Sequence, residues 1–198
     1  WRYEPYRHAI VAYLKNYNSK ISWCYQATPE IFKSNIWFEP NEKLLNGLQK
    51  LNKSVPCNID ISIKTPTVLE GGIVDRFKLP NHSAYPAFLN IGYDDVFCSI
   101  VNESSFLDIT TYISDKTITA ILNDMPFVIV GPAYALKTAQ DLGFKTFNKY
   151  WDESYDNELD HTKRLHKIFK VIDTIANFSA DKLASMQQDM QDSLLYNK

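Results

Sequence analysis

Four consecutive residues, Ser114-Asp115-Lys116-Thr117, put an acid beside a base at what reads as the start of a helix. Ser114 is a natural N-cap, so the residues after it offer backbone N–H groups and the positive end of the helix dipole. Such an end holds anions. The dipole disfavours a Lys in the first turn, and Lys116 makes physical sense there when it faces a phosphate. The other reading is a solvated Asp-Lys pair on an ordinary helix start. Upstream, Asn102-Glu103-Ser104-Ser105 follows directly on a buried-strand pattern. Glu103 then projects at that strand's carboxyl end, where it can accept hydrogen bonds from sugar hydroxyls or serve as a loop acid or turn cap. Arg7 opens the first predicted helix, again where the dipole disfavours a cation. It can reach a phosphate or stand exposed.

Weaker candidates surround these. YWDESYD (Tyr150 to Asp156) is an acidic, aromatic loop that either closes over a ligand or caps the helix that follows. His161 and His166 stand five apart and do not share a helix face, so a metal site with Asp156 and Asp160 is disfavoured. Asp94-Asp95 is a faint echo of an acidic metal-binding turn. The glycine-rich dinucleotide and P-loop patterns are missing, as is the G-x-S-x-G nucleophile elbow.

The elements that must position these residues are legible in the second half of the chain. VFCSIV (Val96 to Val101) and FVIV (Phe127 to Val130) are buried-strand patterns, and FKTF (Phe144 to Phe147) reads as a third strand. Between them, Ile118, Ile121, Leu122 and Met125 share one helix face, and Ala133 to Leu142 form a second helix stopped by Gly143. Two long helices follow. One carries the stripe Leu165, Ile168, Phe169, Ile172 and Ile175. The other is capped by Ser179 and has Leu183, Met186, Met190 and Leu194 on its apolar face. Alternating strands and helices with short connections predict an α/β fold, a Rossmann-like parallel sheet flanked by helices. Ligands of such sheets sit outside the carboxyl ends of the strands, which is where the segments after Val101 and Val130 lie.

The first half is less regular. A helix is predicted over about residues 5–17, a short strand over 21–25 and a helix over 40–53. Residues 54–92 read as loop-rich, with a strand where Ile59, Ile61 and Ile63 alternate with polar residues. The whole is expected to be one Rossmann-like domain over residues 1–198, with a helical segment over 157–198.

At 198 residues with 45% hydrophobic and 22% charged residues, the chain has a globular composition and length enough for a real core. A net charge of −2 without basic runs argues against a nucleic-acid or membrane surface. No apolar run approaches the roughly 18 residues of a membrane helix. Cys24, Cys57 and Cys98 stand far apart, so free thiols in a reducing compartment are expected, not a disulfide framework or a zinc site. Aromatic residues are abundant, and Trp37 and Trp151 fall in less regular segments where they could line a pocket. The chain opens at Trp1 without Met or a signal-peptide pattern, inside what reads as a structured segment, as a fragment would.

FCSIVNESS (Phe97 to Ser105), YISDKT (Tyr112 to Thr117) and PFVIVGP (Pro126 to Pro132), with RHAIVAYLKNY (Arg7 to Tyr17) before them, resemble the donor-binding half of α1,3-fucosyltransferase-like glycosyltransferases of GT-B architecture. The likeness covers about residues 2–147 and is strongest over 94–147. PFVIVGPAYALKTAQDLGFKTF with WDESYD is also similar to phage and marine-microbial proteins regarded as glycosyltransferase-like. The resemblance implies that Arg7 and Lys116 hold the diphosphate of a nucleotide sugar, that Asp115 lies near the ribose, and that Glu103 sits by the donor sugar. Glu103 and Lys116 become the catalytic pair, while Ser114, Thr117 and Gly131 complete the donor site. Two cations and a helix N-terminus would stabilise the departing diphosphate without a metal or other cofactor. It further implies a cytoplasmic location in a bacterium or phage-infected host, an unknown acceptor, and an acceptor domain upstream or on a partner. Ser114-Asp115 replaces the family's Thr-Glu and Asn102-Glu103-Ser104 its Phe-Glu-Asn, so a degenerate, non-catalytic nucleotide-binding or protein-interaction module is the alternative.

Overall fold

Phe127 to Val130 are four consecutive apolar residues, and all four side chains are buried. A strand buried on both faces is typical of a parallel sheet. In the computed structural model, which describes residues 5–14, 17, 96–107 and 110–198, these residues form β2. They pair in parallel with β1, Ser99–Asn102, in the register Ser99 to Phe127 through Asn102 to Val130. The strand expected from Val96 thus begins later and runs one residue further. Burial pushes the free thiol of Cys98, just before it, up to about 12, as suits an inert cysteine.

Parallel strands need a crossover, and α2, Asp115–Leu122, supplies it. Thr117, Ala120 and Ile121 are its buried residues, and it packs on both strands. Of the expected apolar face, Ile121 and Met125 are buried and Ile118 half-buried, but Leu122 is exposed at the helix end. The next helix, α3, spans Ala135–Asp141, shorter than the predicted 133–142. Gly143 follows with φ +97°, the left-handed conformation that closes a helix.

The predicted third strand does not form. Residues 144–147 have no strand partner among the described residues. Side chains satisfy their backbone instead. Lys145 donates its N–H to Asn197 Oδ1 (2.7 Å) and accepts from Asn197 Nδ2 (2.9 Å). Phe147 donates its N–H to Glu153 Oε1 (2.8 Å). On the β2 side, Ile129 donates its N–H to the Tyr155 hydroxyl (3.3 Å), which occupies a position a neighbouring strand would use. The shown architecture is a mixed α/β unit with a two-stranded parallel sheet flanked by helices.

After the 3₁₀ turn Ser154–Asn157 come α4, His161–Ala176, and α5, Ala180–Asn197. The α4 stripe is as expected through Leu165, Ile168, Phe169 and Ile172, with Ile175 half-buried, and it packs on β2. Ser179 caps α5 by accepting from Lys182 N (3.2 Å); Met186, Met190 and Leu194 are buried and Leu183 half-buried. Phe147 packs edge-on against Phe127 (5.0 Å) and beside Trp151 (5.4 Å), so Trp151 is a core residue.

All of this lies in one compact unit, Ser83–Lys198; Trp1–His82 form another. Within the latter, α1 spans Pro5–Leu14, and Tyr6, Ala9, Ile10, Tyr13 and Leu14 are buried at helical spacing. The helix ends before the predicted Tyr17. The expected strand at 21–25, the helix at 40–53, the loops and strand of 54–92, Cys24, Cys57, Trp37 and Asp94-Asp95 lie outside the described residues. No helix among the described residues is long and apolar enough to cross a membrane.

Candidate functional site

Glu103 follows β1 directly, and its backbone N–H extends the ladder by donating to Val130 O (2.9 Å). Its side chain is fully buried. Oε1 accepts from Thr117 Oγ1 (2.5 Å) and from Ser114 N (3.1 Å), and Oε2 accepts from Ser104 N (3.2 Å). The carboxylate thereby occupies the anion position at the start of α2, tying the carboxyl end of β1 to the helix N-terminus. Ser114 is the cap the sequence predicts and accepts from Lys116 N (3.2 Å).

Gly131 explains how Glu103 fits. A Cβ at Gly131 would stand 3.1 Å from Ile129 Cγ2 and 3.3 Å from both Cβ and Cγ of Glu103. The glycine is needed for close approach, since its Cα lies against the carboxylate stem. Lys116 extends the other way. Its Nζ donates to Ser104 Oγ (3.1 Å) and pairs with Asp115 Oδ1 (3.2 Å), with about a third of its side chain exposed (32%). One edge therefore carries Ser104, Glu103, Ser114, Asp115, Lys116, Thr117 and Gly131. The exposed charge nearest Ser104 is the Lys116 ammonium, and the buried charge is the Glu103 carboxylate. Asn102, the last residue of β1, has its side-chain Oδ1 buried with no hydrogen-bond partner among the described residues.

Arg7 belongs to the other unit. It is half-buried; its Nε donates to the Tyr6 hydroxyl (3.0 Å) and its guanidinium lies over the Tyr6 ring (5.6 Å).

The acidic loop caps a helix, but it is α3 before it and not α4 after it. Asp156 accepts from Leu136 N (2.8 Å) and Lys137 N (3.0 Å), and its carbonyl accepts from Tyr134 N (2.7 Å). Burial raises the Asp156 carboxyl above its ordinary range against the pull of those N–H groups. Burial likewise raises Glu153, although Thr146 and Phe147 N–H hydrogen-bond it. The helix that follows is capped by Asp160, which accepts from Lys163 N (2.8 Å).

Arg164 is the organising residue that sequence reasoning missed. It is almost wholly buried (1% exposed). Its Nε donates to Gly131 O (3.2 Å), Nη1 to Glu158 O (2.7 Å), and Nη2 to Phe106 O (2.5 Å), and the guanidinium lies over the Phe106 ring (4.4 Å). It draws together the segments that leave β1 and β2. Nη2 also meets His161 Nδ1 at 3.0 Å. Arg has no acceptor, so Nδ1 accepts and His161 is neutral there. Burial, then the Arg164 charge, hold His161 below its ordinary value. The signal available in the sequence was spacing: Arg164 shares a helix face with Ile168 and Val171. Among the described residues no three His, Cys, Asp or Glu side chains gather as metal ligands.

No protein-family model, curated protein or solved structure matches the chain.

Proposed function

We propose that this chain is the nucleotide-sugar-binding half of a glycosyltransferase, a Rossmann-like donor domain of GT-B type. In this reading it acts in the cytoplasm and passes a sugar to an acceptor held by another domain or partner. The observation that carries the reading is the Glu103 anchor. A buried carboxylate fixes the start of α2 beside the carboxyl ends of two parallel strands, and that fixed start holds Lys116 next to Ser104. Carboxyl ends of parallel strands are where such folds bind nucleotides. The buried Asn102 Oδ1, without a partner among the described residues, is an acceptor left over at the end of the same strand. Lys116 balances the charge that grows on a departing nucleoside diphosphate.

Glu103 acts here as a positioning residue. Its oxygens face Ser104, Ser114 and Thr117, and this burial favours a second reading, a nucleotide-binding module without catalysis. Thermal unfolding against a panel of nucleoside diphosphates and their sugars tests both. Ligand at some tens of times Kd stabilises by about 2 kcal/mol, a gain lost in Lys116→Ala. No shift with any nucleotide defeats both readings. Slow hydrolysis of one bound donor selects the enzyme, and binding without turnover in the presence of candidate acceptors selects the module.

A further inference from the structure

Tyr134 sits in the left-handed region, φ +67° and ψ +17°, at the start of α3. That conformation suits glycine and is disfavoured for any residue with a Cβ. Its backbone is held there independently of its side chain. The N–H donates to Asp156 O (2.7 Å), and the carbonyl accepts from Thr138 N (2.9 Å) and Thr138 Oγ1 (2.9 Å). The first-turn N–H groups of α3 are taken by Asp156, so the helix end itself offers nothing to a ligand. The Tyr134 side chain, by contrast, is 42% exposed, and among the described residues its ring makes no aromatic contact and its hydroxyl no hydrogen bond. A bulky ring thus occupies a strained position where the surrounding turn gives it no structural task. Strain of this kind collects at functional sites.

Its place is the carboxyl edge of the sheet. Three virtual bonds separate it from Gly131, so its Cα lies within about 11 Å of the glycine that packs on Glu103. Gly131 O and Phe106 O are both held by Arg164, which gathers the segments leaving the two strands. A phosphate at Lys116 and Ser104 and a flat ring at Tyr134 would be the two ends of one ligand.

We propose that the Tyr134 ring is the stacking platform for the nucleobase of a nucleoside diphosphate bound at this edge, an inference that rests on the nucleotide reading above. Stacking on an aromatic face accepts any base, so this platform contributes affinity and leaves the choice of nucleotide to polar groups. The test measures GDP, UDP and inorganic pyrophosphate binding by calorimetry, using the full chain as wild type, Tyr134→Gly and Tyr134→Phe. Tyr134→Gly is expected to fold with an unchanged or higher Tm, because glycine relieves the strain. It should bind both nucleotides roughly tenfold more weakly while pyrophosphate binding stays the same. Tyr134→Phe should bind like wild type. Nucleotide affinity untouched by Tyr134→Gly overturns the platform and leaves the nucleotide reading standing. So does an equal loss for pyrophosphate, which would trace to the phosphate end. A wild type that binds pyrophosphate but neither nucleotide more tightly also removes the platform. A wild type that binds none of the three defeats the nucleotide reading along with it.

Discussion

Glu103 shows how one carboxylate can stand where an external anion was expected. The sequence places a glutamate after a strand and a capped helix start downstream, and the simplest functional reading sends both toward a ligand. In the fold they meet each other: Ser114 N and Thr117 Oγ1 donate to the same buried oxygen. Glu103→Gln keeps an acceptor for those two donors but turns an amide NH₂ toward Ser104 N–H, which now donates to Oε2. Hydrogen bonds to a charged group contribute about 1.5–3 kcal/mol, so we expect Glu103→Gln to lose about 2 kcal/mol in urea unfolding. Thr117→Val removes one donor and leaves Ser114 N on the carboxylate, and should lose about 1 kcal/mol. Equal stability of Glu103→Gln and wild type would show that the carboxylate anchors nothing.

At the scale of elements, the segment 144–147 is instructive because it was expected as a strand and forms none. Asn197, at the end of α5, presents its amide to Lys145 as a neighbouring strand would present a peptide group, one bond given and one received. Asn197→Ala strands both backbone groups of Lys145 in a half-buried place. The expected result is a loss of about 1–2 kcal/mol and roughly tenfold faster amide exchange at Lys145. Exchange unchanged at Lys145 would mean that the amide is protected by something else. The same pair of residues shows why this part of the fold was not legible. The β-forming residues Phe144, Thr146 and Phe147 suggest a strand, but whether a segment joins a sheet depends on a partner far along the chain. β1, α2, β2, the Ser114 and Ser179 caps and the Gly143 stop were legible because each is written within a few residues of itself. Arg164 was not, since a charged residue beside an apolar stripe reads as solvent-facing until three backbone segments are seen converging on it. The site behaves likewise. The Ser114 cap was readable from local helix chemistry, whereas the pairing of Glu103 with the helix start, and its need for a bare Cα at Gly131, exist only across the sheet edge.

Taken as a whole, Ser83–Lys198 carries buried acids whose charge works against folding, and this sets how its stability responds to pH. Glu153 and Asp156 have ordinary carboxyl values of 4.5 and 3.8, and burial raises both in the folded protein. A carboxyl raised on folding binds its proton more tightly in the native state than in the unfolded one. Its contribution to stability is therefore complete below the unfolded value and is lost as pH rises through the folded value. The half-buried Glu158 and the exposed Asp160 and Asp189 are shifted the other way, chiefly by Lys167, the Lys163 N–H and Lys149. Their contribution is present above their unfolded values and lost as pH falls, so the two groups oppose each other and the total alone is uninformative. Comparison with Glu153→Gln isolates the buried term. Gln keeps an oxygen for Phe147 N–H, now donated to Glu153 Oε1, and cannot ionise. The difference in unfolding free energy, wild type minus Glu153→Gln, should be greatest at about pH 4 and fall steadily toward pH 7. A difference that stays flat or grows across that range, measured by urea unfolding at each pH, would show that Glu153 ionises in the folded protein as easily as in the unfolded chain. The loop joining 144–147 to α4 would then be open to water instead of packed beneath the edge that holds Tyr134.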